Sequence, residues 1–67
     1  MNIPDYDYMV AHRYLRAIAE CDTEMEVRRW SDRPQIRETM ARWKKSRKDL
    51  AKMVEDAMAV RLPETEK

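Results

Sequence analysis

Between residues 36 and 57, seven positions recur at alternating steps of four and three: Ile36, Met40, Trp43, Arg47, Leu50, Val54 and Ala57. This is the a/d pattern of a heptad helix, held for three heptads, with one arginine standing where an apolar side chain belongs. At 1.5 Å per residue, an unbroken helix over residues 33–61 would run roughly 40 Å. Ala51 and Met58 widen the seam on one side, and the rest is narrow enough to face one neighbour closely. The chain contains no glycine. That removes Gly-rich phosphate loops and disfavours the tight turns of β-hairpins, so the pattern predicts an all-α chain.

Three prolines punctuate the helices. Asn2-Ile3-Pro4-Asp5 and Asp32-Arg33-Pro34-Gln35 both read as helix starts, with Asn2 and Asp32 as the capping side chains and proline in the first turn. Pro63 reads as a stop. At 100° per residue Val10, Ala11, Tyr14, Leu15, Ala17, Ile18, Cys21 and Met25 share one broad face, whereas Val27 and Trp30 fall off it. Thr23 and Glu26 have capping-box spacing, and Asp22 also caps well. These signals predict a helix over residues 3–21, a short helix over 23–30 after a break near 21–23, a long helix over 33–61 and a frayed tail at 62–67. An unbroken first helix is the alternative. The expected fold is a single domain over residues 1–67, an antiparallel hairpin of two long helices with Ser31-Asp32 near its turn. A chain of 67 residues buries only about 60% of its unfolded surface, and the first helix has a face wide enough for two neighbours. Dimerisation into a helical bundle is therefore expected.

Net charge is +1, but it is sorted along the chain. Residues 1–27 carry net −4, residues 28–52 net +7 and residues 53–67 net −2. Arg37, Lys44, Lys48 and Lys52 form a basic flank beside the seam, with Lys45 close by. Such a flank can be solvated and compensated by the acidic segments, can meet an acidic protein surface, or can follow a phosphate backbone. No helix-turn-helix spacing accompanies it, and only Trp43 interleaves the basic run, so nucleic acid is the lesser expectation.

Arg47 is the residue that breaks the pattern. In a seam its guanidinium must snorkel over Trp43, reach the Tyr14 hydroxyl across the hairpin, or meet a carboxylate or carbonyl of another chain. Trp30 is expected to plug the open end of the hairpin near Ile36, and Tyr6 and Tyr8 lie in acidic first turns. Chemistry is poorly supplied. His12 and Cys21 are each single and fall on different sides of the first helix, as a surface residue and a buried small group respectively. Glu20 and Glu24 lack a ligand-spaced histidine. Neither a catalytic site, a cofactor nor a metal is expected. One cysteine excludes an intrachain disulfide, and no apolar run approaches a membrane span. With no export signal, these features predict a cytoplasmic protein. The function expected is a small non-enzymatic adaptor, inhibitor or regulator, a homodimer that binds another protein, one with an acidic surface suiting the basic flank. It would act through the second long helix, with Trp43 and Arg47 central and Met40, Leu50, Arg37, Lys44 and Lys48 around them. The alternative is a dimeric nucleic-acid-binding regulator using the same flank.

Overall fold

The computed structural model describes residues 4–62, and every regular element among them is helical: α1 (Tyr6–Glu20), α2 (Glu24–Ser31), α3 (Pro34–Ser46) and α4 (Lys48–Arg61). Asn2, the Pro63 stop and the tail at 63–67 lie outside the described residues. None of the described helices is long and apolar enough to cross a membrane.

The chain leaves the helix at residues 21–23 with Cys21 and Thr23 both extended. The Thr23 hydroxyl accepts the Glu26 amide at 3.2 Å, and the Glu26 carboxylate accepts the Asp22 amide at 2.6 Å. The first bond satisfies an amide that the new helix leaves unpaired, and the second ties down the residue before its cap. The other helix starts differ from expectation. Asp5 caps α1 by accepting the Tyr8 amide at 3.0 Å. Asp32 does not cap α3; it closes α2, donating its own amide to the Arg28 and Arg29 carbonyls. The α3 cap is Arg33, with no side-chain bond, followed by Pro34. Proline's fixed φ and missing N–H suffice to start that helix.

The largest correction concerns the second long helix. It is two helices, α3 and α4, joined at the single residue Arg47 (φ −136°, ψ 69°). Contacts between the ends give the direction of each piece. Arg42 of α3 reaches Asp7 near the start of α1, and Tyr14 reaches Thr39, so α1 and α3 are antiparallel. Lys44 pairs with Glu55, and Ile36 and Met40 share a cleft with Met58, so α4 turns back along α3. Arg47 meets Asp5 at one end of α4, while Arg61 at the other end reaches the Ile18 and Cys21 carbonyls. α4 therefore runs parallel to α1. The fold is a four-helix arrangement, not a two-helix hairpin.

The reason for the fold-back is burial. An unbroken helix over 33–61 would be roughly twice as long as α1 and would carry Leu50, Ala51 and Val54 past its end. Folded back, Leu50 and Val54 are fully buried and Ala51 nearly so. Losing the two or three hydrogen bonds of an unbroken helix at the joint costs about 1 kcal/mol each. Complete burial of Leu50 and Val54 contributes about 1.5–3 kcal/mol each, and Ala51 and the half-buried Met53 and Ala57 add to it. Burial wins. The same residues form one core with Ala11, Tyr14, Ile18, Trp30, Ile36, Met40 and Trp43. Tyr14 sits at its centre, edge-on to Trp30 at 5.2 Å and tilted against Trp43 at 5.6 Å. Met25, placed on the apolar face by periodicity, is 60% exposed because the break at 21–23 ends that face before it.

Candidate functional site

Two features organise the surface: an arginine clamp at each end of α4, and a cleft between α3 and α4.

At the α3–α4 joint the Arg47 guanidinium is held between two carboxylates of its own chain. Nη1 and Nη2 donate to the two Asp5 oxygens at 3.1 and 3.2 Å, and Nε and Nη2 donate to Asp49 at 3.3 Å. Both carboxylates stand at helix N-termini, Asp5 as the cap of α1 and Asp49 in the first turn of α4. There each also answers the positive end of a helix dipole. The hydrogen bonds from Arg47, reinforced at Asp5 by the Tyr8 amide, hold both carboxyls below the usual carboxylate range, and the carboxylates raise the guanidinium pKa in turn. Arg47 thus neither reaches the Tyr14 hydroxyl nor waits for a partner's carboxylate. Tyr14 donates instead to the Thr39 hydroxyl at 3.3 Å.

The opposite clamp was not legible in the sequence. Arg61, on the last turn of α4, donates to the carbonyls of Ile18, which also accepts the Cys21 amide at 3.3 Å, and of Cys21, both at the C-terminal end of α1. No basic residue occupies the last turn of α1 itself. The cation that its dipole favours comes from the far end of the chain, and no local spacing announces it.

The seven residues expected to contact a partner divide into two groups. Trp43 and Leu50 have no exposed surface, and Met40 is nearly enclosed. In this fold they are core, because the fold-back covers them with the chain's own helices. The Trp43 indole N–H has no hydrogen-bond partner among the described residues. Arg37, Lys44 and Lys48 are exposed, as expected of a flank, and Arg47 belongs to the joint. Arg37 approaches Asp32 at 3.6 Å, Lys44 pairs with Glu55 at 3.3 Å and Lys52 with Asp56 at 3.3 Å. The flank is therefore largely answered by acids of the same chain, mostly those of α4.

Arg37, Met40 and Lys44 come together in one cleft of about 340 Å³. Its floor is Ile36, Met40 and Met58, and its rim is Ser31, Arg37, the exposed Ala41, Lys44 and Glu55. Lys44 and Lys48 continue the rim into a second open groove with Ala51, Lys52, Glu55 and Asp56. Ser31, Ile36, Ala41, Glu55 and Met58 also line the cleft and were not among the residues expected to contact a partner. Ala41 lies one position from Met40, outside the heptad count, and Glu55 joins the rim only because α4 folds back.

Outside that cleft, Glu20, Cys21, Glu26, Arg29 and Arg33 line an open cavity of about 470 Å³ beside Ala17 and Trp30. His12 lies exposed with its ring edge-on to Tyr8 at 4.4 Å, and the half-buried Cys21 thiol donates to the Ala17 carbonyl at 3.2 Å. Among the described residues no three His, Cys, Asp or Glu side chains gather into a metal-binding group. No protein-family model matches this chain, and no curated protein and no solved structure matches it significantly.

Proposed function

We propose that the chain is a small non-enzymatic protein–protein interaction module that docks a partner segment in the α3–α4 cleft. The observation that carries this reading is the composition of that cleft: three apolar side chains on the floor and a rim of mixed charge. A floor of two half- or well-buried methionines beside an isoleucine suits an apolar anchor, because methionine adapts its shape at little cost. An amphipathic helix presenting one or two apolar residues fits such a groove. Arg37 and Lys48 at the rim favour acidic residues flanking those anchors.

The nucleic-acid alternative draws less support, since Lys44 and Lys52 are already paired within the chain and offer a phosphate backbone little uncompensated charge. Dimerisation also loses part of its motive, because the fold-back supplies within one chain the extra helices that the seam requires.

The test places a photo-crosslinking side chain at the exposed Ala41 and, as control, at Arg13 on the outer face of α1. A discrete protein adduct is expected from position 41 and not from 13, and Met58→Glu should abolish it while the helical circular dichroism survives. Adduct formation should change little between 50 and 200 mM salt, whereas six to ten phosphate contacts would weaken binding by about 10³–10⁵ over that range. An adduct lost to nuclease, or a steep fall with salt, overturns the reading in favour of nucleic acid.

A further inference from the structure

We propose that α4 exchanges between two copies of this chain, the joint at Arg47 straightening so that α3 and α4 become one continuous helix in a domain-swapped dimer. Three observations carry this. First, the heptad count runs through the joint without a slip, since Met40, Trp43, Leu50 and Val54 keep their steps with residue 47 counted in place. A straight helix over 34–61 therefore keeps its apolar side chains on one line. Second, the joint contains neither glycine nor proline, and a single residue connects the two helices. Nothing local forbids residues 46–48 from taking helical dihedrals, and a short connection that reverses direction is the usual site of exchange. Third, α4 buries its apolar face, Leu50, Ala51 and Val54, mainly against α1 and α3, with a smaller contact to α2. A second copy presents identical α1, α2 and α3, so the same contacts re-form between chains with no new surface required. Straightening also restores the helical hydrogen bonds that the joint forgoes.

What holds the chain closed is the Arg47 clamp. Its side chain is 31% exposed and bridges Asp5 and Asp49, a geometry that a helical residue 47 would disturb. In the exchanged dimer, two copies of residue 47 come nearest the twofold axis together with Lys44, Lys45 and Lys48, where like charges repel. Replacing Arg47 by an apolar residue removes the clamp and the repulsion at once. Replacing Lys48, the first residue of α4, by proline leaves the helix start intact, because proline is accepted there. It also bars residue 47 from the helical conformation that a straight helix needs.

The experiment measures mass by sedimentation after refolding at rising concentration, for wild type, Arg47→Leu and Lys48→Pro. Spin labels at Gln35→Cys and Ala59→Cys, in a Cys21→Ala background, report the fold-back; labelled chains are diluted into unlabelled chains so that only distances within one chain are read. Arg47→Leu should lower the dimer dissociation constant at least about tenfold relative to wild type, and Lys48→Pro should stay monomeric with native helicity. Within the dimer, residues 35 and 59 should stand about 36 Å apart, the span of 24 residues of helix. In the monomer they should be close, as the shared cleft of Ile36 and Met58 requires. An Arg47→Leu chain that remains monomeric at millimolar concentration overturns the proposal. So does a dimer that survives Lys48→Pro, or one whose chains keep the short distance.

Discussion

The joints at residues 21–23 and at Arg47 both end one helix and begin another, yet they are made in different ways. At the first, the instruction is local. Thr23 and Glu26 exchange hydrogen bonds with the backbone within five residues, and the apolar face of α1 does not line up with that of α2. At the second, the local pattern argues for continuation, and the turn is imposed from a distance by burial of Leu50 and Val54 and by carboxylates near the joint. The difference teaches that unbroken periodicity specifies which face is buried, and leaves open whether the helix stays straight.

Breaking the core that imposes the second joint gives the largest effect. Trp43→Ala should cost about 3–5 kcal/mol. A single core of this size rarely supplies more than that, so the variant is expected to lose its cooperative melt by circular dichroism. Trp43→Phe should cost far less, because it also removes an unpartnered indole N–H, whose burial costs about 1–3 kcal/mol. Next in size is the clamp at the far end of α4. Arg61→Met keeps the stem and loses two hydrogen bonds from a charged donor, an expected loss of about 1–2 kcal/mol in denaturant unfolding. The first joint is weaker in energy although clearer in sequence: Thr23→Ala should cost about 1 kcal/mol, with faster amide exchange at Glu26.

The smallest effect is the pH dependence of the Arg47 clamp. Hydrogen bonds from Arg47 hold the Asp5 and Asp49 carboxyls below the usual carboxylate range in the folded chain. Their contribution is therefore fully present above the unfolded pKa and is lost as pH falls below 3.8 through the folded values. Asp5→Asn should be slightly less stable than wild type at neutral pH and converge with it at the bottom of that acid window, so that the wild-type loss of stability there is flattened. An unaltered acid profile would separate the joint from its carboxylates.

Much of the core was readable in advance. Ile36, Met40, Trp43, Leu50 and Val54 are buried as the heptad steps require, as are Ala11, Tyr14 and Ile18 on the first face. Trp30 is buried in the same cluster as Ile36. What was not readable is the path that brings them together. The Ser46 hydroxyl bonds back to the Arg42 carbonyl, and no side chain caps the start of α4. Arg47 was recognisable as an exception in the seam. Its partners were not, because Asp5 lies 42 residues away and becomes a neighbour only once α4 runs alongside α1. For the same reason the cleft was half visible: Arg37, Met40 and Lys44 lie on one helix, while Glu55 arrives from the fold-back.

The central claim is that α4 returns along α1, and a spin label on the exposed Val60 in a Cys21→Ala background tests it most directly. In a dilute sample that sediments as monomer, the label should broaden the amide signals of residues 18–21, since the neighbouring Arg61 touches the carbonyls there. Broadening confined to α4, with residues 18–21 untouched, would show that the second half of the chain projects away from the first and would contradict the fold-back.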